Sequence, residues 1–297
     1  MRLAPRSRTV RSLTAAAIAS ALLIAAPVGA AQAQSVSAAT ESPASETTLR
    51  IATSGFVDTF NPFISIYLTP TNIIRYVYES LVQNDAEDGS PTKGLADSWE
   101  ATDGGQTWTF TLQDDLVWSD GEPITSADVK YTYDQMMTVP ALGTANGNLV
   151  SNFDTVETPD DKTVVITLKT PQAPNPGSEI PIVPKHIWEA VDDPTTFTND
   201  ADVVGSGPFV LDSYSANQSI VLKANENFWR GAPKIDAIQY VYYTNSDAQV
   251  QALKAGDVDL VTGLTPTQFS ALDGVASARL EPYREGRKPP ETQGGTP

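Results

Sequence analysis

Three pairs of adjacent aspartates could support catalysis, because two carboxylates can act as acid and base on a glycosidic bond. The pairs are Asp114 with Asp115, Asp160 with Asp161, and Asp192 with Asp193. Each pair lies in a predicted turn, and side chains adjacent in sequence do not converge on one bond. A secreted hydrolase, such as a carboxylate-dependent glycosidase, is therefore kept as the alternative hypothesis.

Other catalytic and metal-binding patterns are incomplete. The sequence has no cysteine, which excludes disulfides, thiolate metal sites and a cysteine nucleophile. His186 is the single histidine, so it cannot belong to a two-histidine metal site. Ser90 and Lys93 have the spacing of a β-lactamase pair without its other motifs, and Asp85–Gly89 contains only part of a calcium loop. We therefore expect no catalytic residues, no metal site and no cofactor.

The first 33 residues differ from the rest of the chain. Four arginines precede an apolar run over residues 13–26, and residues 31–33 fit an A-x-A cleavage site. We predict that residues 1–33 are a secretory signal and that residues 34–46, rich in Ser, Ala, Thr and Glu, form a solvated spacer. The chain is then exported to the periplasm or the cell exterior, without a lipid anchored through cysteine.

The charge of the exported chain limits its partners. The 19 basic residues fall to 15 once the four leader arginines are removed, against 36 acidic residues, which gives a net charge of −21. Such a charge repels nucleic acid and other polyanions, although it also serves solubility. We expect no nucleic-acid partner.

The most regular pattern lies in residues 205–261. Gly205 and Gly207 allow a tight turn before a strand over residues 209–214, and the alternation in residues 220–224 predicts its hairpin partner. A third strand is predicted over residues 235–243. This part of the chain therefore predicts a hairpin and a further strand in one sheet.

A crossover unit follows the third strand. Ser246 and Gln249 have the spacing of a capping box, and Gly256 is expected to end the helix. Residues 258–261 are predicted to form a short buried strand. Strand, helix and strand with short joints predict an α/β fold with a mixed sheet.

Nearer the start of the chain, Thr69 with Pro70 predicts another helix start.

Three motifs in this region carry a family resemblance. They are G-[ST]-G-P-[FY] at Gly205–Phe209, N-x-x-[FY]-W-x-G-x-P at Asn225–Pro233, and A-L-x-x-G-[ED]-[VI]-D at Ala252–Asp259. A further run, from Trp108 to the D-V at Val129, and Y-E-x-L at Tyr78–Leu81 agree with them. The chain resembles the family 5 extracellular solute-binding proteins of ABC importers, which take peptides, nickel complexes or oligosaccharides.

The resemblance implies a periplasmic-binding-protein-like fold of type II, a two-lobed clamshell. We expect residues 47–262 to form mainly the first lobe, with an α+β subdomain inserted at about 61–202, and residues 263–275 to begin the second lobe. The first strand, Leu49–Thr53, should share a sheet with residues 205–261. This domain order is implied by the family and by the lack of a nearer partner for the first strand.

The resemblance also implies a function and a site. Two hinged lobes would enclose a solute, most often a peptide in this family, and a monomer would deliver it to the permease subunits of the importer. The loop after the first strand and the Gly-Ser-Gly turn are expected to face the ligand. The predicted ligand-binding residues are Ser54, Gly55, Phe56, Asn61, Gly205 and Ser206. The alternative for Phe56, Phe60 and Phe63 is that they plug the core beneath the loop.

The last 22 residues change in character. Residues 276–297 contain no Val, Ile, Trp or Phe, and their four basic and three acidic side chains give a net charge of +1. We predict a disordered tail and an incomplete second lobe. A cleft with one wall would bind solute weakly or not at all, because half of the contacts are missing.

Overall fold

The computed structural model describes residues 47–273 and 275. The predicted signal, spacer and tail lie outside this range. No helix within it has both the length and the apolar character needed to cross a bilayer.

The strands are β1 (Thr48–Thr53), β2 (Val82–Asn84), β3 (Pro91–Lys93), β4 (Ala96–Thr102), β5 (Thr107–Leu112), β6 (Phe153–Asp160), β7 (Thr163–Leu168), β8 (Phe209–Ser215), β9 (Ser219–Ala224) and β10 (Ala237–Tyr242). The helices are α1 (Leu68–Val77), α2 (Ser126–Thr138), a 3-10 turn (Pro140–Gly143), α3 (Gly147–Val150), α4 (Lys185–Trp188), α5 (Ser246–Ala255) and α6 (Pro266–Ser270).

One mixed sheet joins the two ends of the described chain. Its strand order is β1-β10-β9-β8, and β1 lies parallel to β10 with Leu49 opposite Ile238 and Thr53 opposite Tyr242. The other neighbouring pairs are antiparallel. The prediction that Leu49–Thr53 shares a sheet with residues 205–261 is confirmed.

The intervening segment forms a second sheet and a small hairpin. The sheet has the order β4-β5-β7-β6 and is antiparallel throughout, and β2 pairs with β3. Helix α2 covers the sheet with Val129 and Tyr133, both buried. A capping box opens this helix, in which the Asp128 carboxylate accepts a hydrogen bond from the Thr125 amide at 2.8 Å.

A single hydrophobic core connects the two sheets. It contains Ile51 and Leu222 from the mixed sheet, Phe110 and Ile166 from the antiparallel sheet, and Ile73 from α1 between them. Phe60 and Phe63 are buried in the same core, as the alternative interpretation of the loop phenylalanines expected. The inserted segment therefore shares its core with the lobe, and the exact boundaries of a subdomain stay a prediction.

The Gly-Ser-Gly turn holds the end of α1 against β8. The Gly207 amide donates to the Val77 carbonyl at 2.8 Å, and the Ser206 hydroxyl accepts from the Glu79 amide at 3.0 Å. A Cβ on Gly207 would lie 2.2 Å from the Tyr76 carbonyl oxygen, closer than real Cβ contacts allow. The side-chain amide of Asn225 also donates to the Gly207 carbonyl at 2.9 Å. The turn thus needs glycine for close backbone approach.

Two predicted helix starts are wrong, the start of α5 by one residue and the start of α1 by two. Asn245, not Ser246, caps α5, because its extended backbone lets its side chain accept from the Ala248 amide at 2.9 Å. The Ser246 hydroxyl instead accepts from the Gln268 side chain of α6 at 2.8 Å. Helix α1 begins at Leu68 rather than at Pro70, which is tolerated because the first helical N–H groups have no intrahelical partner.

The predicted strand over residues 258–261 is reduced to one parallel bridge between Leu260 and Ile51. Backbone hydrogen bonds join this segment to β1, including one from the Asp259 amide to the Arg50 carbonyl at 2.8 Å, and a paired side-chain contact adds to them. Arg50 donates from Nε and Nη2 to the two carboxylate oxygens of Asp259, at 3.0 and 2.8 Å. The final aspartate of the A-L-x-x-G-[ED]-[VI]-D motif therefore fixes the chain after α5 to the outer edge of β1.

We predict that Gly207→Ala lowers the free energy of unfolding by about 2 kcal/mol or more, because the added methyl meets backbone atoms that cannot move aside. Gly147→Ala is the matched control, since a Cβ there meets nothing within 4 Å. We expect the control to change stability by less than about 1 kcal/mol. Denaturant unfolding measures both, and equal effects would contradict the close approach.

We also predict a pH-dependent role for the Arg50–Asp259 pair. The hydrogen bond from Arg50 holds the pKa of Asp259 below its usual 3.8. A depressed carboxyl pKa contributes stability above the unfolded value, and this contribution is lost as pH falls through the folded value. The difference in melting temperature between wild type and Asp259→Asn should be constant above about pH 5 and shrink below about pH 4. A difference that stays constant down to about pH 2 would contradict this role of the pair.

Candidate functional site

An open cleft lies at the carboxyl ends of β1 and β10. Its volume is about 150 Å³, and the turn between β8 and β9 closes one side. Ligands of open α/β sheets bind outside the carboxyl ends of the parallel strands, which is where this cleft lies. Its walls consist of Thr53, Gly55, Phe56, Val57, Tyr214, Ser215, Ala216, Asn217, Gln218, Ser219, Ile220, Tyr240 and Tyr242.

The loop after β1 presents an aromatic side chain to the cleft. The Gly55 amide donates to the Thr53 hydroxyl at 3.1 Å, and a Cβ on Gly55 would lie 1.8 Å from the Thr69 hydroxyl. The loop therefore passes close to the start of α1 and leaves Phe56 60% exposed. The ring of Phe56 packs edge to face against Tyr67, with centroids 4.8 Å apart. Ser54 is exposed beside it.

Three tyrosines also line the cleft. Tyr214, Tyr240 and Tyr242 are partly buried, and the Tyr242 amide donates to the Gln218 carbonyl at 2.9 Å, which fixes the hairpin turn. Asn217 takes a left-handed φ of 57° in that turn, a conformation that asparagine tolerates. Burial raises the pKa of Tyr240 to about 12, so its hydroxyl stays protonated at neutral pH. These tyrosines are not among the predicted ligand-binding residues, although the alternation of β10 places Tyr240 and Tyr242 on one face.

Asn61 does not face the cleft, which corrects the prediction. Its side chain is fully buried and donates to the carbonyls of Pro194 and Phe197, both at 2.9 Å. The side-chain oxygen Oδ1 of Asn61 accepts a hydrogen bond from the Phe63 amide, also at 2.9 Å. An amide with donors and an acceptor fully used inside the protein cannot serve a ligand. Asn61 instead ties the first loop to residues 194–197.

Gly205 and Ser206 are also interior residues rather than an open hinge surface. The Ser119 amide donates to the Gly205 carbonyl at 2.9 Å, and the Ser206 hydroxyl is occupied by the Glu79 amide. Both residues are buried. The structure therefore brings Ser54, Gly55 and Phe56 together at the surface and places Asn61, Gly205 and Ser206 in the supporting interior.

The acidic pairs are turn residues. Lys162 binds Asp114 and lowers its pKa, and hydrogen bonds to the Asp160 and Asp193 carboxylates lower theirs. A general acid needs a raised pKa, so these shifts run against the hydrolase hypothesis. Within residues 47–273 and 275 no group of His, Asp and Glu side chains is arranged to hold a metal ion.

Burial raises the pKa of two carboxylates, Glu79 and Asp128, and Asp128 is the residue that caps α2. Burial raises the pKa of Glu79, and Arg230, whose Nη2 lies 3.8 Å from the carboxylate, partly offsets the shift. Arg230 also lies over the ring of Trp229, 4.5 Å from its centroid. The contact joins the Y-E-x-L and N-x-x-[FY]-W motifs, and Glu79 is not among the residues that line the cleft. Its role is therefore interior packing between two motifs.

Residues 90–290 match the family model described as bacterial extracellular solute-binding proteins, family 5, middle. The chain belongs to this family. The probable D,D-dipeptide-binding periplasmic protein DdpA of Escherichia coli is 31% identical over 225 residues, which cover 72% of this chain and 43% of DdpA. The predicted family is confirmed.

Two solved structures have the same fold. The substrate-binding protein CtaP of Listeria monocytogenes is 27% identical with a TM-score of 0.69. The match covers 77% of this chain and 47% of the CtaP chain. Haemophilus influenzae OppA, solved with the peptide RPPGFSPFR, is 25% identical with a TM-score of 0.68. The match covers 77% of this chain and 48% of the OppA chain. The α/β architecture of type II periplasmic binding proteins is confirmed, and the chain spans less than half the length of these relatives.

We predict that replacing Asn61 destabilises the protein, whereas replacing Phe56 leaves its stability nearly unchanged. Asn61→Ala should lower the free energy of unfolding by about 2 kcal/mol, because it leaves two buried carbonyls and an amide unpaired. Phe56→Ala should change it by less than about 0.5 kcal/mol, because most of the ring is in water. Urea unfolding of both variants tests the assignment, and a stable Asn61→Ala variant would contradict it.

Proposed function

We propose that this chain contributes to the extracytoplasmic solute-binding component of an ABC importer and captures peptides for transport. The observation that carries the proposal is the open, aromatic cleft at the carboxyl ends of β1 and β10. A binding site of this kind needs preformed walls and a few polar groups, and no residue that changes its protonation during a reaction. The names of DdpA and OppA, which refer to dipeptide and oligopeptide binding, support peptides as the solute.

Within this proposal, Ser54, Gly55 and Phe56 are ligand contacts. The strand ends and the hairpin turn at residues 214–219 would bind the polar backbone of a peptide, while the exposed Phe56 ring would cover apolar parts. On either side of Tyr67, the ring partner of Phe56, Ile66 and Leu68 are 67% and 75% exposed. Large apolar side chains in one area mark a surface that is covered in the working protein. A second lobe, beginning at about residue 263, closes over this surface.

The remaining proposals follow from the family. The protein acts outside the cytoplasm as a monomer and delivers its solute to the permease subunits of the importer. The first lobe extends over residues 47–262, with the inserted subdomain at about 61–202. Enzyme activity is not part of the proposal, since the carboxylates that the hydrolase hypothesis requires are bound in turns.

We predict that peptides bind weakly to the purified chain at this cleft. A titration with a pool of short peptides, followed by amide NMR, should shift Gly55, Asn217 and Tyr242. Dissociation constants of about 0.1–10 mM are expected, because one wall supplies part of the contacts of an enclosed site. Phe56→Ala should weaken binding by about tenfold, which corresponds to about 1.4 kcal/mol of lost contact.

Tyr131→Ala is the control, because Tyr131 lies on α2 and does not line the cleft. It should leave the titration unchanged. Absence of shifts at the cleft with peptides at 10 mM would refute peptide capture. Cleavage of a glycoside or peptide substrate that one carboxylate substitution abolishes would instead establish the hydrolase alternative.

A further inference from the structure

The cleft is uncharged, although the chain is strongly acidic. None of the thirteen lining residues is charged, while the whole chain has a net charge of −17. The polar groups that line it are hydroxyls of serine, threonine and tyrosine and amides of asparagine and glutamine. A charged group placed here would lose water without gaining a charged partner from the described walls, which is unfavourable.

The size of the cleft suits a single ring. Its volume is about 150 Å³. An apolar cavity of about 150 Å³ in another protein accommodates one benzene molecule, which sets the scale for an aromatic side chain. This volume accommodates one side chain of an extended ligand, whose backbone would run along the rim of the open cleft.

The walls offer the contacts that a ring prefers. Phe56, which packs edge to face against Tyr67, lines the cleft together with Tyr214 and Tyr240. Aromatic rings associate edge to face or offset at centroid separations of about 4.5–7 Å, so a further ring can continue the existing Phe56–Tyr67 arrangement. The neutral Tyr240 hydroxyl adds a polar contact that needs no charged partner.

We propose that this cleft is a subsite for one uncharged aromatic side chain of the bound peptide and that it discriminates against charged side chains at that position. This inference rests on the proposed function, since it assigns specificity within the same site. A pyranose ring has similar size, but hydroxyls surround its rim and each needs a hydrogen-bond partner when it leaves water. An aromatic side chain presents one such group or none, and the aromatic walls favour it.

Four small probe ligands, titrated into the full chain, test the proposal. They are the blocked tripeptides Ala-Phe-Ala, Ala-Glu-Ala and Ala-Lys-Ala, and methyl glucopyranoside. Amide NMR titration at Gly55, Asn217 and Tyr242 gives each dissociation constant. We expect Ala-Phe-Ala to bind at least about tenfold more tightly than either charged tripeptide and than the glycoside, a ratio that corresponds to about 1.4 kcal/mol.

A charge introduced into the wall should change the preference. Gln218 is exposed, and its carbonyl, not its side chain, accepts the bond that fixes the turn. Gln218→Lys should therefore fold normally and bind Ala-Glu-Ala about five- to tenfold more tightly than wild type does, through a direct ion pair. Gln251→Lys is the matched control, with the same change of net charge on the exposed side of α5. It should leave all four titrations unchanged.

The outcomes separate this inference from the proposed function. Equal binding of the three tripeptides at the cleft would overturn the specificity while peptide capture stands. Tightest binding by methyl glucopyranoside would overturn both the aromatic assignment and the peptide assignment. Improved binding of Ala-Glu-Ala by Gln251→Lys as much as by Gln218→Lys would show that long-range charge, and not the cleft wall, sets the preference, and would also overturn the proposal.

Discussion

The backbone contact between the Gly-Ser-Gly turn and the end of α1 is the constraint on which the rest of the structure depends. At this point Gly207 bonds to the Val77 carbonyl, Ser206 to the Glu79 amide, and Gly205 to Ser119. The contacts connect the mixed sheet, α1 and the turn after Trp118. A side chain at Gly205 or Gly207 would separate these backbones, since its Cβ would lie 2.4 or 2.2 Å from a carbonyl oxygen. The fixed position of α1 in turn sets where Tyr67 and Phe56 stand beside the cleft.

The arrangement explains why the family motifs surround the site without forming it. Asn225 supports the turn through the Gly207 carbonyl, Asp259 binds Arg50 at the edge of β1, and Asp128 caps α2 and also accepts from the Lys185 amide at 2.9 Å. Each motif residue satisfies a backbone group or a charge inside the scaffold. The cleft itself is lined by side chains of loops and strand ends, where substitution alters the ligand without cost to the fold.

The sequence predicted the scaffold better than the site. Alternating apolar residues and turn glycines identified the hairpin of β8 and β9 and the strand β10, because period and turn chemistry are local properties. The motif residues Asn61 and Ser206 were expected at the surface, yet they point inward. A motif indicates that a residue type is needed, but the direction of its side chain depends on contacts with residues distant in sequence, such as Pro194 and Phe197. The tyrosine wall was missed for a related reason, since alternation in β10 shows which residues share a face and not where that face is left open.

We propose that the described part of the chain forms one wall of a peptide site, centred on Phe56 and the tyrosines of β8 and β10. A crystal structure of the chain grown with millimolar blocked Ala-Phe-Ala would show where the peptide lies. We expect the phenylalanine ring of the peptide within contact distance of Phe56 and Tyr240, with the backbone of the peptide along the ends of β1 and β10. Peptide bound in the groove beside Arg75 and Glu179, with the cleft at β1 and β10 empty, would contradict it.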